Sequence, residues 1–288
     1  MITAVFDEGP GLGLGHRRRI ECIQRELGGL GVEVATAALG DDPVAGYLIL
    51  VDSYRVRADD SDRFRARRIV AIDDIERGLA VDVVVDPRPG ADARPHPGAA
   101  RVLAGADYAL VDARLRTFPV ADIEPTVRRV LVATGATDSE GIGAGVASAL
   151  ADALVDADIR LVVGAWGRGT DDQRIHVLDA PPDLAAEIAA ADLVVTAGGV
   201  TMLEACCLGR PIVAFSIADN QTPALAGAAV AGAVRAADRV SAATVATRLA
   251  HDHDARRHLS TSARGLVDGR GAVRVASVIE ALSASVSW

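Results

Sequence analysis

A histidine that closes a run of glycines is the first place in this chain where residue type and spacing suggest chemistry. The segment reads Asp7-Glu8-Gly9-Pro10-Gly11-Leu12-Gly13-Leu14-Gly15-His16-Arg17-Arg18-Arg19 and leads into a helical pattern. Glycines allow positive φ and close backbone approach, and the start of the following helix offers unpaired N–H groups to an anion. A neutral imidazole at that point can take a proton from water or from a sugar hydroxyl. A helix-start histidine in solvent is the ordinary alternative, and the Gly13-x-Gly15-His16 turn outweighs it. The loop is not a dinucleotide fingerprint, because a G-x-G-x-x-G register from Gly9 reaches Leu14 and one from Gly11 reaches His16. The three arginines span one helical turn and cannot all face one ligand, so at least one faces solvent or pairs with an acid.

Two further loops have anion-binding character. Ala197-Gly198-Gly199-Val200-Thr201-Met202-Leu203-Glu204 reads as strand end, glycine turn and helix start, where a first turn can hold a phosphate and Glu204 can accept hydrogen bonds from ribose hydroxyls. Thr134-Gly135-Ala136-Thr137-Asp138-Ser139 offers amides and hydroxyls as a second nest. Near the first of these, Asn220 and Gln221 either cap a helix or donate to a sugar or base.

Other chemistries are excluded or weak. All 30 basic residues are arginine, so Schiff-base chemistry and a P-loop lysine are absent. A net charge of -9 makes a poor binder of nucleic-acid backbone. Cys22, Cys206 and Cys207 are too few and too clumped for a disulfide framework or a zinc site, and core packing is expected of the adjacent pair. His251-Asp252-His253-Asp254 with His258, Asp60-x-Asp62 and Asp156-x-Asp158 imitate metal motifs but do not follow strand ends. For the first of these the expected roles are His251 at a helix C-terminus and Asp252 or Asp254 as the next helix cap. No signal peptide and no apolar window of about 20 residues is present, which suggests a cytoplasmic protein without membrane insertion.

The elements that must position these residues alternate along the chain. Apolar, β-branched runs at 2–6, 32–38, 47–51, 69–72, 81–85 and 108–111 predict one set of strands, and runs at 130–134, 159–164, 175–178, 193–196 and 212–215 predict a second. Helices are expected at 16–27, 141–154, 182–190, 200–208 and 222–231, with further helices at 241–250, 254–266 and 271–282. The fold class is α/β: two Rossmann-like domains at 1–118 and 127–288, the stretch 116–127 linking them, a cleft between them, and the last helix either capping the second sheet or returning to the first.

In order and spacing these pieces resemble the UDP-sugar hydrolases of pseudaminic acid biosynthesis (UDP-2,4-diacetamido-2,4,6-trideoxy-β-L-altropyranose hydrolases), relatives of GT-B glycosyltransferases such as the undecaprenyl-muramoyl-peptide GlcNAc transferase. The matching residues are Asp7 with Gly13-x-Gly15-His16-x-x-Arg19, Val51-Asp52-Ser53-Tyr54, Ile72-Asp73-Asp74, Gly105-Ala106-Asp107-Tyr108-Ala109-Leu110, Thr137-Asp138, the 197–204 segment, Asn220-Gln221 and Asp268-Gly269-Arg270-Gly271-Ala272. The resemblance implies a GT-B-like fold, UDP held mainly by the second domain, metal-independent chemistry with no cofactor, and attack of His16-activated water on the anomeric carbon to release UDP with inversion. It implies catalytic roles for His16, Tyr54 and Asn220. It also implies substrate contacts from Asp7, Gly13, Gly15, Arg19, Gly135, Thr137, Gly199, Val200, Thr201, Glu204 and Gln221. Val5, Ala136 and Asp112 depart from the pattern, having Arg, Gly and Arg respectively in the family, which leaves the sugar open. A glycosyltransferase using the same base on an acceptor hydroxyl is the alternative, and a non-catalytic nucleotide-sugar binding protein is a third.

Overall fold

Four or five successive apolar residues suit a strand covered on both faces, the environment of a parallel sheet flanked by helices. The structure, a computed structural model, describes residues 1–284 except 10, 41 and 121, and the backbone alone at 61, 62 and 93. Pro10 of the glycine-rich loop, the Asp62 side chain and residues 285–288 of the expected second domain lie outside the described residues. Among the described residues, contacts divide the chain into two units, one formed by residues 1–113 with the segment from Gly269, the other by Arg114–Asp268.

In the first unit the strands are β1 (Ile2–Phe6), β2 (Val34–Ala37), β3 (Val44–Ala45), β4 (Leu48–Asp52), β5 (Phe64–Arg65), β6 (Arg68–Ile72), β7 (Val83–Asp86) and β8 (Arg101–Ala104). Six of them form a sheet in the order β2-β1-β4-β6-β7-β8, while β3 and β5 pair separately. Every pairing in the sheet is parallel, with Phe6 opposite Asp52 and Val51 opposite Ala71. The residues that follow these strands therefore emerge along one edge. Helix α1 (Gly15–Gly29) packs on β1 and β4 through Ile20, Ile23 and Leu27, all fully buried. Each such side chain contributes about 1.5–3 kcal/mol of transfer free energy.

In the second unit β9 (Arg129–Ala133), β10 (Asp158–Val163), β11 (Ile175–Asp179), β12 (Leu193–Ala197), β13 (Ile212–Phe215) and β14 (Arg235–Ala236) form a parallel sheet in the order β11-β10-β9-β12-β13-β14. Its helices are α2 (Ile142–Ala153), α3 (Leu184–Ala190), α4 (Val200–Cys207), α5 (Thr222–Val230), α6 (Ala242–Ala250) and α7 (His253–Leu266). The last helix, α8 (Gly271–Ala284), packs against α1 in the first unit.

Both sheets reverse direction beside their first strand. The chain runs from β1 outward to β2 and returns to β4 on the other side; it runs from β9 out through β10 and β11 and returns to β12. Ligands of open α/β sheets sit beyond the carboxyl ends of the strands at such reversal points.

Two expectations change. Residues 108–111 form no strand; the sixth strand is β8, and a 3-10 turn at Ala106–Tyr108 follows it. The reason lies in α8: a Cβ on Gly271 would stand 2.2 Å from the Ala109 carbonyl, and Arg274 Nη1 donates to the Asp107 carbonyl at 2.7 Å. That backbone is engaged by a helix from the far end of the sequence. The stretch read as a linker is likewise bound into the second unit, where buried Arg256 donates to the Glu124 and Pro125 carbonyls and His253 Nε2 lies 2.8 Å from the Ile123 carbonyl.

Candidate functional site

At the carboxyl edge of the first sheet, β1, β4, β6 and β7 each run into an aspartate: Asp7, Asp52, Asp73 with Asp74, and Asp86, all buried. Buried carboxylates require partners, and arginines supply them. Arg19 sets Nε and Nη2 on the two oxygens of Asp52, at 2.8 and 2.7 Å, and Nη1 on Asp74. Arg55 holds Asp7, Arg77 holds Asp73, and Arg88 holds Asp86.

His16 joins this row. Its Nδ1 lies 2.6 Å from Asp52 Oδ1, a separation between an imidazole nitrogen and a carboxylate that requires a proton in the contact. With the hydrogen of that contact on Nδ1, the neutral ring carries its lone pair on Nε2. The position i,i+3 on α1 brings Arg19 Nη2 to 3.0 Å from the same Nδ1. Tyr54 meets the imidazole edge-on, ring centroids 4.4 Å apart. The Tyr54 loop is clamped from two sides: Asp7 accepts from the Ser53 hydroxyl and the Tyr54 amide, and Arg77 donates to the Ser53 and Val56 carbonyls.

Electrostatics hold the charges in place. Burial works against the Arg19 charge, yet Asp52 and Asp74 outweigh it and raise its pKa well above the ordinary value. Burial would likewise raise Asp74, but the charge and hydrogen bond of Arg19, and a hydrogen bond from Tyr54, carry it below the ordinary carboxylate value.

The glycine-rich loop differs from its sequence reading. Leu12 and Gly13 amides donate to the Gly9 carbonyl and the Gly9 amide donates to the Gly13 carbonyl, so part of the expected amide nest closes on itself. Gly9 and Gly13 take φ of 144° and 75°, which this tight turn requires. His16 is 3% exposed and does not project into solvent; its neighbours are charged and aromatic rather than aliphatic. Asp7 and Arg19, expected to contact substrate, spend their polar atoms on protein partners, because each is buried among opposite charges.

In the second unit the corresponding edge is made of main chain. β12 ends at Gly198-Gly199, and the segment carrying Gln221 packs on it so closely that a Cβ on Gly198 would lie 3.2 Å from the Gln221 carbonyl. Gln221 Oε1 accepts from the Ile217 amide, and its Nε2 lies 3.9 Å from where a Gly199 Cβ would stand. Helix α4 then starts at Val200 with Gly199 as cap, so the cap residue has no side chain to bond the amides of its first turn. Glu204 lies one turn further along α4, and Asn220 sits in the 3-10 turn Asp219–Gln221 that precedes α5. Gly199, Val200, Thr201 and Gln221 are thus brought together.

The loop of Gly135 and Thr137 follows β9, the neighbour of β12, but its helix start is closed. Asp138 accepts from the Ile142 and Gly143 amides, at 2.9 and 2.7 Å, and from the Thr134 hydroxyl. The chain's own carboxylate thus takes the first amides of α2 and one hydroxyl of the 134–139 loop.

Several readings hold in detail. Asp252 caps α7 by accepting from the Ala255 amide, and His251 ends α6. Cys206 is fully buried; burial pushes its thiol up to about 12 and that of Cys207 to about 11. Asp112, where the resembled family has Arg, pairs with Arg25 of α1. Sequence reading assigned no role to Asp52, Asp74, Arg55, Arg77 or His96. The last is buried, its Nε2 3.0 Å from Asp86 and its Nδ1 3.8 Å from Asp73. The signal was present: an aspartate closes the apolar runs of β1, β4, β6 and β7.

No protein-family model matches the chain. It is 26% identical over 206 residues to the spore coat polysaccharide biosynthesis protein SpsG of Bacillus subtilis (strain 168), a match covering 64% of this chain. The chain spans 60% of the length of that curated relative. Among solved structures it is similar to the glycosyltransferase of kitacinnamycin, with a TM-score of 0.64 at 16% identity over 97% of both chains. It is also similar to MnaA of S. aureus in complex with UDP, with a TM-score of 0.64 at 10% identity over 100% of this chain and 98% of the other. The fold is therefore GT-B-like α/β, with two Rossmann-like parallel sheets. Among the described residues no helix is long and apolar enough to cross a membrane.

Proposed function

We propose that the protein transfers a glycosyl group from a nucleoside-diphosphate sugar, most simply a UDP-sugar, to an acceptor hydroxyl. The observation that carries this reading is the His16–Asp52 pair at the reversal point of the first sheet, with Nδ1 committed to the carboxylate and Nε2 left to accept a proton. In the proposed step Nε2 removes the acceptor's proton as the acceptor oxygen bonds to the anomeric carbon. The bond from that carbon to the diphosphate oxygen breaks, and its electron pair leaves with the nucleoside diphosphate. A single displacement of this kind inverts the anomeric configuration.

The open start of α4, with Gly199, Val200 and Thr201, is assigned the diphosphate, since main-chain amides and the helix dipole favour an anion there. Glu204 and Gln221 are assigned the nucleoside side. Tyr54 shapes the face of His16. Asn220 is assigned to the sugar.

Transfer is placed ahead of hydrolysis because the kitacinnamycin enzyme is a glycosyltransferase and the SpsG relative is a polysaccharide biosynthesis protein. Hydrolysis remains the second reading, supported by the His16-x-x-Arg19 and Asp52-Ser53-Tyr54 motifs, and differs only in water replacing the acceptor.

The test is incubation of the protein with UDP-, TDP-, GDP- and CMP-sugars, with and without a panel of sugar and polyol acceptors, in oxygen-18 water. Transfer gives nucleoside diphosphate and a new glycoside that depend on acceptor. Free sugar labelled at its anomeric oxygen without acceptor selects hydrolysis, and no release from any donor, with binding retained, selects the non-catalytic reading.

A further inference from the structure

We propose that Arg19 is a positioning residue: one guanidinium that aims His16 through Asp52 while touching no substrate. This rests on the assignment of His16 as the base. Arg19 is 8% exposed, and each of its three nitrogens donates to a carboxylate. One fork grips Asp52, whose Oδ1 lies 2.6 Å from His16 Nδ1; the remaining nitrogen grips Asp74.

The geometry explains why a single residue can do this. Asp52 ends β4 and Asp74 follows β6, its immediate neighbour in the sheet. Adjacent strand ends lie about 4.8 Å apart, a distance that the rigid guanidinium fork can bridge. Arg19 reaches them from the helix that also carries His16, one turn away. The base and the two carboxylates thus come from three elements, α1, β4 and β6, and are tied at one point. The charged groups facing His16 are Arg19 from its own helix, Asp52 from the end of β4 and Asp74 beyond the end of β6. If Asp52 swings, the imidazole loses the partner that selects its tautomer; without Asp74, Arg19 loses the carboxylate that anchors its third nitrogen. A lysine would keep the charge but serve one carboxylate only.

The test uses the full chain, labelled with nitrogen-15 histidine, and reads both kinetics and tautomer. The His16 resonances are identified by their absence in His16→Asn. In the wild type they report hydrogen on Nδ1 alone. In Arg19→Lys the proposal expects a mixed tautomer and a fall in kcat of about 10²-fold, with KM for the sugar nucleotide within about threefold. The double variant Arg19→Gln/Asp74→Asn, which removes the cation with one of its carboxylates, keeps a folded reference should the single variant unfold, and is expected to show the same tautomer mixing.

A raised KM with kcat unchanged makes Arg19 a substrate contact and overturns the proposal. So does an unmixed tautomer in both variants. Failure of the underlying functional reading looks different: turnover unaffected by His16→Ala removes the base assignment whatever the Arg19 variants show.

Discussion

Both sheets are parallel, six-stranded and reversed beside their first strand, yet their carboxyl edges are built from different material. In the first, buried side chains meet: four neighbouring strands end in aspartates, arginines lock them, and a histidine rests on one. In the second, glycines and an uncapped helix start present backbone. Proton transfer needs a titratable group held in one tautomer and orientation, which takes a rigid, charged scaffold. Anion binding needs amides at close range, which takes the absence of side chains. A single architecture supports both because the strand-end loops, not the sheet, carry the difference. The second unit repeats the contrast on a smaller scale, for α2 begins under the carboxylate of Asp138 whereas the cap of α4 is Gly199, which has no side chain.

The comparison breaks most visibly if its chemical half is removed. His16→Ala is expected to lower turnover about 10²–10⁴-fold while nucleoside-diphosphate affinity, measured by calorimetry, stays within about threefold. The backbone half is tested by giving α4 what α2 already has. Gly199 has an ordinary φ of -102°, so Gly199→Asp is sterically admissible, and its carboxylate should weaken UDP binding about 10–100-fold with the melting temperature little changed. The converse, Asp138→Ala, strands the α2 amides and should cost about 1–3 kcal/mol in urea unfolding without changing UDP affinity.

Asp74 gives a pH test. Its pKa is lowered in the folded state, so its contribution to stability is fully present above the ordinary aspartate range, about pH 4, and is lost as pH falls below that through the lowered value. Urea midpoints of wild type and Asp74→Asn should therefore converge on acidification and diverge toward neutrality. The smallest effect concerns α4's cysteines: with thiols pushed up to about 12 and 11, iodoacetamide at pH 8 should modify Cys206 and Cys207 only slowly in the native protein.

Much of this was legible in one dimension. Ile2–Phe6 and Leu193–Ala197 announce buried parallel strands because no charged residue breaks their largely apolar, β-branched runs, and Ile20, Ile23 and Leu27 mark the packed face of α1 by their spacing. The glycine turns before α1 and α4 were equally readable. The strand expected at 108–111 failed because Gly271 and Arg274, more than 160 residues away, claim that backbone. That Asp138 caps α2 was not legible, because whether an aspartate caps its own helix or leaves it open depends on a dihedral path that composition does not encode.

By itself the sequence determined most of the elements, the α/β class and the place of His16 at a helix start, because periodicity and turn chemistry are local. Only the tertiary structure decided which carboxylate meets His16, that Arg19 faces inward, and which helix start an aspartate caps. Asp52 and Asp74 lie 36 residues from His16 and 55 from Arg19 respectively, and they meet because parallel strands align their ends in an order that the chain does not follow.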